Sequence, residues 1–113
     1  MTEPAQQVPE ISVQDAAARG EQVLLLDVRE DDEWEAGHAP AAQHMPLGSL
    51  DPGAVPTDRP VVAVCRSGNR SGKAAVLLAA AGVDVVNMTG GMTAWNAAGL
   101  PVVDAQGRPG QVA

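Results

Sequence analysis

Three short apolar runs divide the chain and predict its central strands. VLLLDV begins at Val23, VVAV at Val61 and VDVVNM at Val83. None of them alternates between apolar and polar residues as a strand with one solvated face does. They therefore predict strands covered on both faces, as in a parallel sheet. A shorter strand is predicted around residues 42–45, between two prolines.

Segments with helical character alternate with these runs. ISVQDAAARG predicts a short helix with Ser12 as its N-cap, and EDDEWEAG an acidic helix that stops at Gly37. Residues 71–81 predict the longest helix, rich in Ala and Leu, and GGMTAWNAAG a turn with a helix ending at Gly99. The alternation predicts an α/β fold, a three-layer domain with a mainly parallel central sheet flanked by helices.

The two ends of the chain differ from its middle. Residues 1–10 are polar with two prolines, and residues 104–113 are rich in Gly, Pro and Gln, so we expect flexible tails. Residues 11–103 form one predicted domain, long enough for a single hydrophobic core. The chain has no Phe or Tyr, so Val, Leu and Ala must fill that core, with Trp34 and Trp95 as large anchors.

The charge balance bears on partners and location. A net charge of -7 argues against non-specific binding to nucleic acid or to an anionic membrane. The N-terminus has no basic region followed by an apolar core, and no apolar run reaches the length of a membrane span. The single cysteine cannot form an internal disulfide. These features predict a cytoplasmic protein.

That cysteine, Cys65, lies between a predicted strand and the longest predicted helix, in the segment CRSGNRS. Gly68 can adopt a positive φ, and Asn69 tolerates one better than most residues. A loop curled in this way turns successive N–H groups inward and forms an anion site, to which the following helix N-terminus adds its own N–H groups. Such surroundings stabilise a thiolate.

Basic side chains surround the same cysteine. Between Arg59 and Val83 the chain carries four basic residues and no acidic one, and three of the four, Arg66, Arg70 and Lys73, are in or just after the loop. A lone cysteine after an apolar strand is often only a small buried hydrophobe. The cationic loop favours a nucleophile instead. We expect no metal site, because Cys65 and the two histidines match no common zinc spacing.

Four segments in order resemble the single-domain rhodaneses, which have a thiosulfate sulfurtransferase-like fold. They are LLLDVREDDEWEAGHAP, MPL, VVAVCRSGNRSGKAA and TGGMTAWNAAGLPV, within residues 11–103. One departure is GHAPAA, where the family often has a larger aliphatic residue after the His and a Gly after the Pro. It changes a packing turn and leaves the cysteine loop intact.

The resemblance implies a sulfurtransferase without a cofactor. The Cys65 thiolate attacks the outer sulfur of thiosulfate or a similar small anionic donor, sulfite leaves, and Cys65 carries a persulfide. Cyanide or a cellular thiol, which includes a protein sulfur acceptor, then takes the sulfur. Because the chain has no second cysteine to resolve the persulfide, the acceptor must be external and the cycle ping-pong.

The resemblance also assigns the site residues. Cys65 is the catalytic nucleophile, and the inward N–H groups of the loop hold the negative charge of the persulfide. The two loop arginines suit the sulfonate of the donor, and the two serines are expected to donate hydrogen bonds to sulfur. The predicted substrate-binding residues are Arg66, Ser67, Gly68, Asn69, Arg70 and Ser71.

The remaining polar residues are predicted to be structural. Asp27 and Arg29 follow a buried strand and could pair with each other or brace the loop. We favour a structural role for Asp27, since thiolate attack on thiosulfate needs no base. His38 is expected to make a structural hydrogen bond, and Lys73 to add a more distant charge.

Two alternatives remain open from the sequence. Protein-tyrosine phosphatases and related arsenate reductases have Cys-x5-Arg loops, whereas Cys65 and Arg70 are separated by four residues. The shorter loop suits a sulfur atom better than a phosphate. The second alternative is a persulfide carrier or binding module that serves a partner enzyme.

Overall fold

A five-stranded parallel sheet forms the centre of the molecule, with strand order β1-β5-β4-β2-β3. The structure, a computed structural model, describes residues 8–113. The strands are β1 Glu10–Ile11, β2 Leu24–Asp27, β3 Gln43–His44, β4 Val61–Val64 and β5 Val85–Met88. The helices are α1 Val13–Arg19, α2 Asp31–Ala36, α3 Asn69–Ala80 and α4 Gly91–Ala97. Short 3-10 turns cover Gly20–Gln22, Leu47–Ser49 and Pro52–Ala54.

Apolar side chains cover the sheet on both faces, which confirms the predicted three-layer α/β architecture. Every residue of β2 and β4 is buried, as the continuous apolar runs require. One face packs against α1 and α4 and the other against α3. Strands β2 and β4 pair in register from Leu24 with Val61 to Asp27 with Val64. Both strands therefore end at the same edge of the sheet.

Side-chain and backbone caps set the helix ends. The Ser12 hydroxyl accepts a hydrogen bond from the Asp15 N–H at 3.0 Å, as the sequence predicts. A reciprocal capping box between Glu30 and Glu33 starts α2. Helix α3 begins at Asn69, two residues before the predicted start, because the Gly68 carbonyl already accepts from the Gly72 N–H at 3.1 Å.

Residues 8–11 and 104–113 make backbone contacts with the rest of the domain. Strand β1 lies at the edge of the sheet and includes Glu10, which the sequence places in the first tail; residues 1–7 of that tail lie outside the described residues. The segment 104–113, expected to be flexible, folds back on the domain. Its Gln111 N–H donates to the Ala36 carbonyl at 2.9 Å, and Gly110 donates to Val102 at 2.9 Å.

The two tryptophans occupy different environments. Trp95 is a core residue, as expected, and its Nε1 donates to the Pro101 carbonyl at 2.7 Å. Trp34 is only half-buried and lies outside the core clusters, so its predicted role as a core anchor is wrong. Its indole instead stacks on the rings of His38 and His44, with centroid distances of 3.5 and 4.8 Å.

Candidate active site

Cys65 lies directly after β4, at the carboxyl edge of the sheet where ligand sites of parallel sheets occur. Its side chain is only 1% exposed. Two donors reach the sulfur: the Gly68 N–H at 3.0 Å and the Ser71 hydroxyl at 3.3 Å. The thiol therefore lies at the end of β4, within a loop whose polar groups point at the sulfur.

The loop curls at Gly68, which has a φ of 107°. A side chain at this φ is strained, and the conformation is what turns the Gly68 N–H toward the sulfur. Asn69, the other residue expected to tolerate a positive φ, is instead the first residue of α3. Among residues 8–113, only glycines have a positive φ.

The surroundings of Cys65 act on its pKa in two opposing ways. Burial raises the pKa of the thiol because it disfavours the charged form. Hydrogen bonds from the Ser71 hydroxyl and from the backbone N–H groups of Ser71, Gly68 and Ser67 lower it. The hydrogen bonds outweigh the burial, so the pKa of Cys65 is lowered from its ordinary value. A low thiol pKa gives more thiolate, the nucleophilic form, near neutral pH.

Helix α4 braces the other side of the loop. The Met92 N–H donates to the Cys65 carbonyl at 2.8 Å, and the Thr93 N–H donates to the Arg66 carbonyl at 3.0 Å. This approach requires Gly91, which has a φ of 57° and whose added Cβ would overlap the Cys65 carbonyl oxygen and the Arg66 backbone. The sequence shows the GG pair but not the contact that depends on it.

Arg70 is engaged by a carboxylate. Its two terminal nitrogens donate to the Glu33 oxygens at 2.6 and 2.8 Å, a bidentate pair between α3 and α2. The hydrogen bond from Arg70 is the main cause that lowers the pKa of Glu33 from 4.5 to about 2. Arg70, which the resemblance assigns to the sulfur donor, is thus already paired, and the sequence shows Glu33 only as one of several acids in an acidic helix.

Two further basic residues follow Cys65 in the sequence, and their side chains have no hydrogen-bond or ion-pair partner among residues 8–113. Arg66 and Lys73 are exposed, and within residues 8–113 neither makes a side-chain hydrogen bond or an ion pair. Ser67 and Asn69 are also exposed. Of the two loop serines, only Ser71 directs its hydroxyl at the sulfur. The residue that follows Cys65 is thus an exposed arginine without a side-chain partner among residues 8–113.

Asn87, on β5, connects two parts of the loop. It accepts from the Ser71 hydroxyl at 2.6 Å through Oδ1 and donates to the Gly68 carbonyl at 3.1 Å through Nδ2. The side chain is buried, with 7% exposed. The sequence alone gives Asn87 no role. The available signal is one amide inside an otherwise apolar strand.

Asp27 and Arg29 form a fully buried ion pair behind the loop. The guanidinium donates to both Asp27 oxygens, with Nε to Oδ1 at 2.9 Å and Nη2 to Oδ2 at 2.8 Å. Nη2 also donates to the Gly37 carbonyl at 2.7 Å. The two side chains therefore pair with each other, one of the two arrangements expected from the sequence. His38 Nδ1 lies 2.6 Å from the Trp34 carbonyl.

The described part of the chain, residues 8–113, contains no group of three His, Cys, Asp or Glu side chains placed to hold a metal ion. It also has no helix that is both long and apolar enough to cross a membrane.

Comparisons with known proteins agree with this geometry. A family model, the rhodanese-like domain, matches residues 12–98. A sulfurtransferase of Allochromatium vinosum is 38% identical over 99 residues, which cover 85% of this chain and 92% of that protein. An uncharacterized protein of Synechocystis is 40% identical over 90 residues, covering 77% of this chain, and the chain spans about half (50%) of that longer protein.

Solved structures share the fold. The crystal structure of a rhodanese-related protein from Thermoplasma volcanium superposes with a TM-score of 0.81 at 29% identity, covering 84% of this chain and 97% of the other. The range that the family model matches, residues 12–98, spans the Cys65 loop, α2 and α4. With the parallel sheet, the hydrogen-bonded Cys65 and these matches together, the chain belongs to the rhodanese-like domain family.

Proposed function

We propose that this protein is a sulfurtransferase that moves a sulfane sulfur from a small anionic donor, such as thiosulfate, to a thiophilic acceptor. The observation that carries the proposal is the sulfur of Cys65, which accepts a hydrogen bond from the Gly68 N–H, lies 3.3 Å from the Ser71 hydroxyl oxygen and has a lowered pKa. The name of the Allochromatium vinosum relative, a sulfurtransferase, supports the same activity.

In the first half-reaction, the Cys65 thiolate attacks the outer sulfur of the donor. The S–S bond of thiosulfate breaks with its electron pair on the leaving sulfite, and Cys65 keeps the transferred sulfur as a persulfide. Arg66 is the basic residue suited to the donor's oxyanion, because its guanidinium is exposed and uncommitted beside the nucleophile. Loop N–H groups stabilise the charge on sulfur.

In the second half-reaction, an external acceptor takes the outer sulfur. Cyanide or a thiolate forms a bond to that sulfur while the bond to Sγ breaks, and Cys65 returns as a thiolate. An external acceptor is required because the chain has a single cysteine. Since a nucleophilic thiol must stay reduced to act, this chemistry suits a cytoplasmic location.

Mass spectrometry of the intact protein after incubation with thiosulfate tests the proposal. We expect the wild type to gain one sulfur atom, which cyanide then removes with formation of thiocyanate. The Cys65→Ser variant should gain none. A wild type that stays unmodified, with its thiol still titratable, would exclude thiosulfate as a donor.

The two alternatives predict different results in the same assay series. A persulfide carrier would load sulfur equally well but release it slowly to cyanide and small thiols. A phosphatase needs its loop arginine for the phosphate, whereas here Arg70 already binds the Glu33 carboxylate. Phosphatase turnover that equals sulfur transfer would overturn the proposal.

A further inference from the structure

The orientation of the Asn87 amide follows from its neighbours. The Gly68 carbonyl can only accept a hydrogen bond, so the atom 3.1 Å from it must be the amide nitrogen of Asn87. The amide oxygen is then fixed on the opposite side, where it lies 2.6 Å from the Ser71 hydroxyl. That oxygen also can only accept, so the hydroxyl must be the donor.

Ser71 consequently has two acceptors for one proton. The Asn87 oxygen lies at 2.6 Å and the Cys65 sulfur at 3.3 Å. Ser71 has 0% of its surface exposed, so bulk water does not contact the hydroxyl. A hydroxyl donates a single hydrogen bond, and the sulfur of a neutral thiol is a weaker acceptor than an amide oxygen. In the resting thiol, the proton therefore belongs to Asn87.

We propose that Asn87 is a positioning residue that draws the Ser71 hydroxyl proton away from Cys65 and limits its availability to the sulfur. Asn87 touches neither the sulfur nor a substrate, and it acts only through Ser71. Its second bond, to the Gly68 carbonyl, holds the loop at the residue whose N–H contacts the sulfur.

In the sulfur-transfer cycle, this role determines when the Ser71 proton can reach the sulfur, and this part of the inference rests on the proposed function. In the persulfide, Sγ is bonded to the outer sulfur and carries no charge, so the proton stays with Asn87. When the acceptor bonds to the outer sulfur, the S–S bond breaks with its electron pair on Sγ. The Ser71 hydroxyl can then turn to the new thiolate.

Other charges near Cys65 do not depend on Asn87. They are Arg66, the pair formed by Arg70 and Glu33, and Lys73 on the exposed side of α3. Apart from Ser71 and Asn87, the buried polar side chains of residues 8–113 are Asp27, Arg29 and His38. Asp27 alternates along β2 with Leu24 and Leu26 of the Cys65 cluster, and its charge is paired with Arg29.

The pH dependence of Cys65 alkylation by iodoacetamide tests this role. The Asn87→Leu variant removes the competing acceptor while keeping a similar shape, so the Ser71 proton becomes fully available to the thiolate. We expect the plot of alkylation rate against pH to move to lower pH. At pH values well below the midpoint of this plot, alkylation should be about threefold faster than in the wild type. This figure includes the lower nucleophilicity of a more stable thiolate. The Asn87→Val variant provides the same test if the leucine is not accommodated.

The Ser71→Ala background separates this role from simple loop support. There, Asn87→Leu should give no acceleration, because the proton that Asn87 competes for is absent. If Asn87 only supports the loop, its loss should slow alkylation in both backgrounds, and that result, or equal acceleration in both, would overturn the inference. Thermal unfolding of each variant confirms that it is folded.

Alkylation does not require sulfur transfer, so the two proposals can fail separately. If no variant forms a persulfide yet the alkylation pattern holds, the role of Asn87 stands and the proposed function fails. If persulfide forms but the alkylation rates are unchanged, the function stands and the role of Asn87 fails.

Discussion

The two arginines of the cysteine loop have different surroundings, and these decide which one can bind an anion. Arg70 is 33% exposed and donates both terminal nitrogens to Glu33, whereas Arg66 is exposed and uncommitted. Removing the Arg70 side chain would leave a partly buried carboxylate without its partner. An Arg70 variant would therefore combine a charge effect with a structural one, and Arg66 is the better position for testing donor binding.

The Arg66→Ala substitution should raise the KM for thiosulfate about tenfold, because a charge-assisted hydrogen bond to the sulfonate is lost. The rate of persulfide formation at saturating thiosulfate should change little. Lys73→Ala is the matched control, since Lys73 is also an exposed basic residue but is one turn into α3. If Lys73→Ala raised KM and Arg66→Ala did not, the donor would bind on the α3 side.

At the scale of elements, two short helices contact the loop through different groups. Helix α2 reaches it through the ion pair of Glu33 with Arg70, and α4 through backbone N–H groups donated to the Cys65 and Arg66 carbonyls. Both contacts join residues far apart in sequence. The Cys65 loop is thus held in place by two helices that lie outside its own segment of the sequence.

The Gly91→Ala substitution should destabilise the protein by about 2 to 4 kcal/mol and reduce sulfur loading. The alanine would have to adopt a left-handed backbone conformation, and its Cβ would also clash with the Cys65 carbonyl oxygen. Gly99→Ala is the matched control: Gly99 has a φ of 76°, but nothing lies within 4 Å of its added Cβ. The control should lose only about 1 kcal/mol.

Urea unfolding, with persulfide formation measured on the folded protein, checks both variants. If Gly91→Ala and Gly99→Ala lowered the free energy of unfolding equally, the close approach of α4 to the loop would not contribute to stability.

At the scale of the whole molecule, the sequence predicts the layered sheet and the position of Cys65 between a strand and a helix because both depend on local patterns. Continuous apolar runs require cover on both faces, and the glycine within CRSGNRS allows the curl. Glu33 and Asn87 escape prediction because their roles depend on partners 37 and 16 residues away. Strand β1 has two residues, too few to show a period.

The stability of the folded state should depend on pH through Glu33. Its pKa is about 2 in the folded protein against an ordinary value of 4.5, so the folded state is favoured wherever Glu33 is charged in both states. This contribution is complete above about pH 4.5 and is lost as the pH falls toward 2. Glu33→Gln should therefore cost about 1 kcal/mol at neutral pH and less in acid.

Denaturation with urea at several pH values measures this difference. Glu35→Gln is the matched control, because Glu35 is an exposed acid on the same helix and has no side-chain ion pair within residues 8–113. A gap between wild type and Glu33→Gln that stays constant from neutral pH to pH 2 would contradict the assignment.

The depth of Cys65 imposes different steric limits on the two substrates. Because only 1% of this residue is exposed, an atom that reacts with Sγ must enter the loop, which favours a slender donor with a terminal sulfur. A sulfur bonded to Sγ stands about 2 Å farther out. The second reactant meets this outer atom nearer the surface, so an acceptor thiol could be carried by a molecule as bulky as another protein.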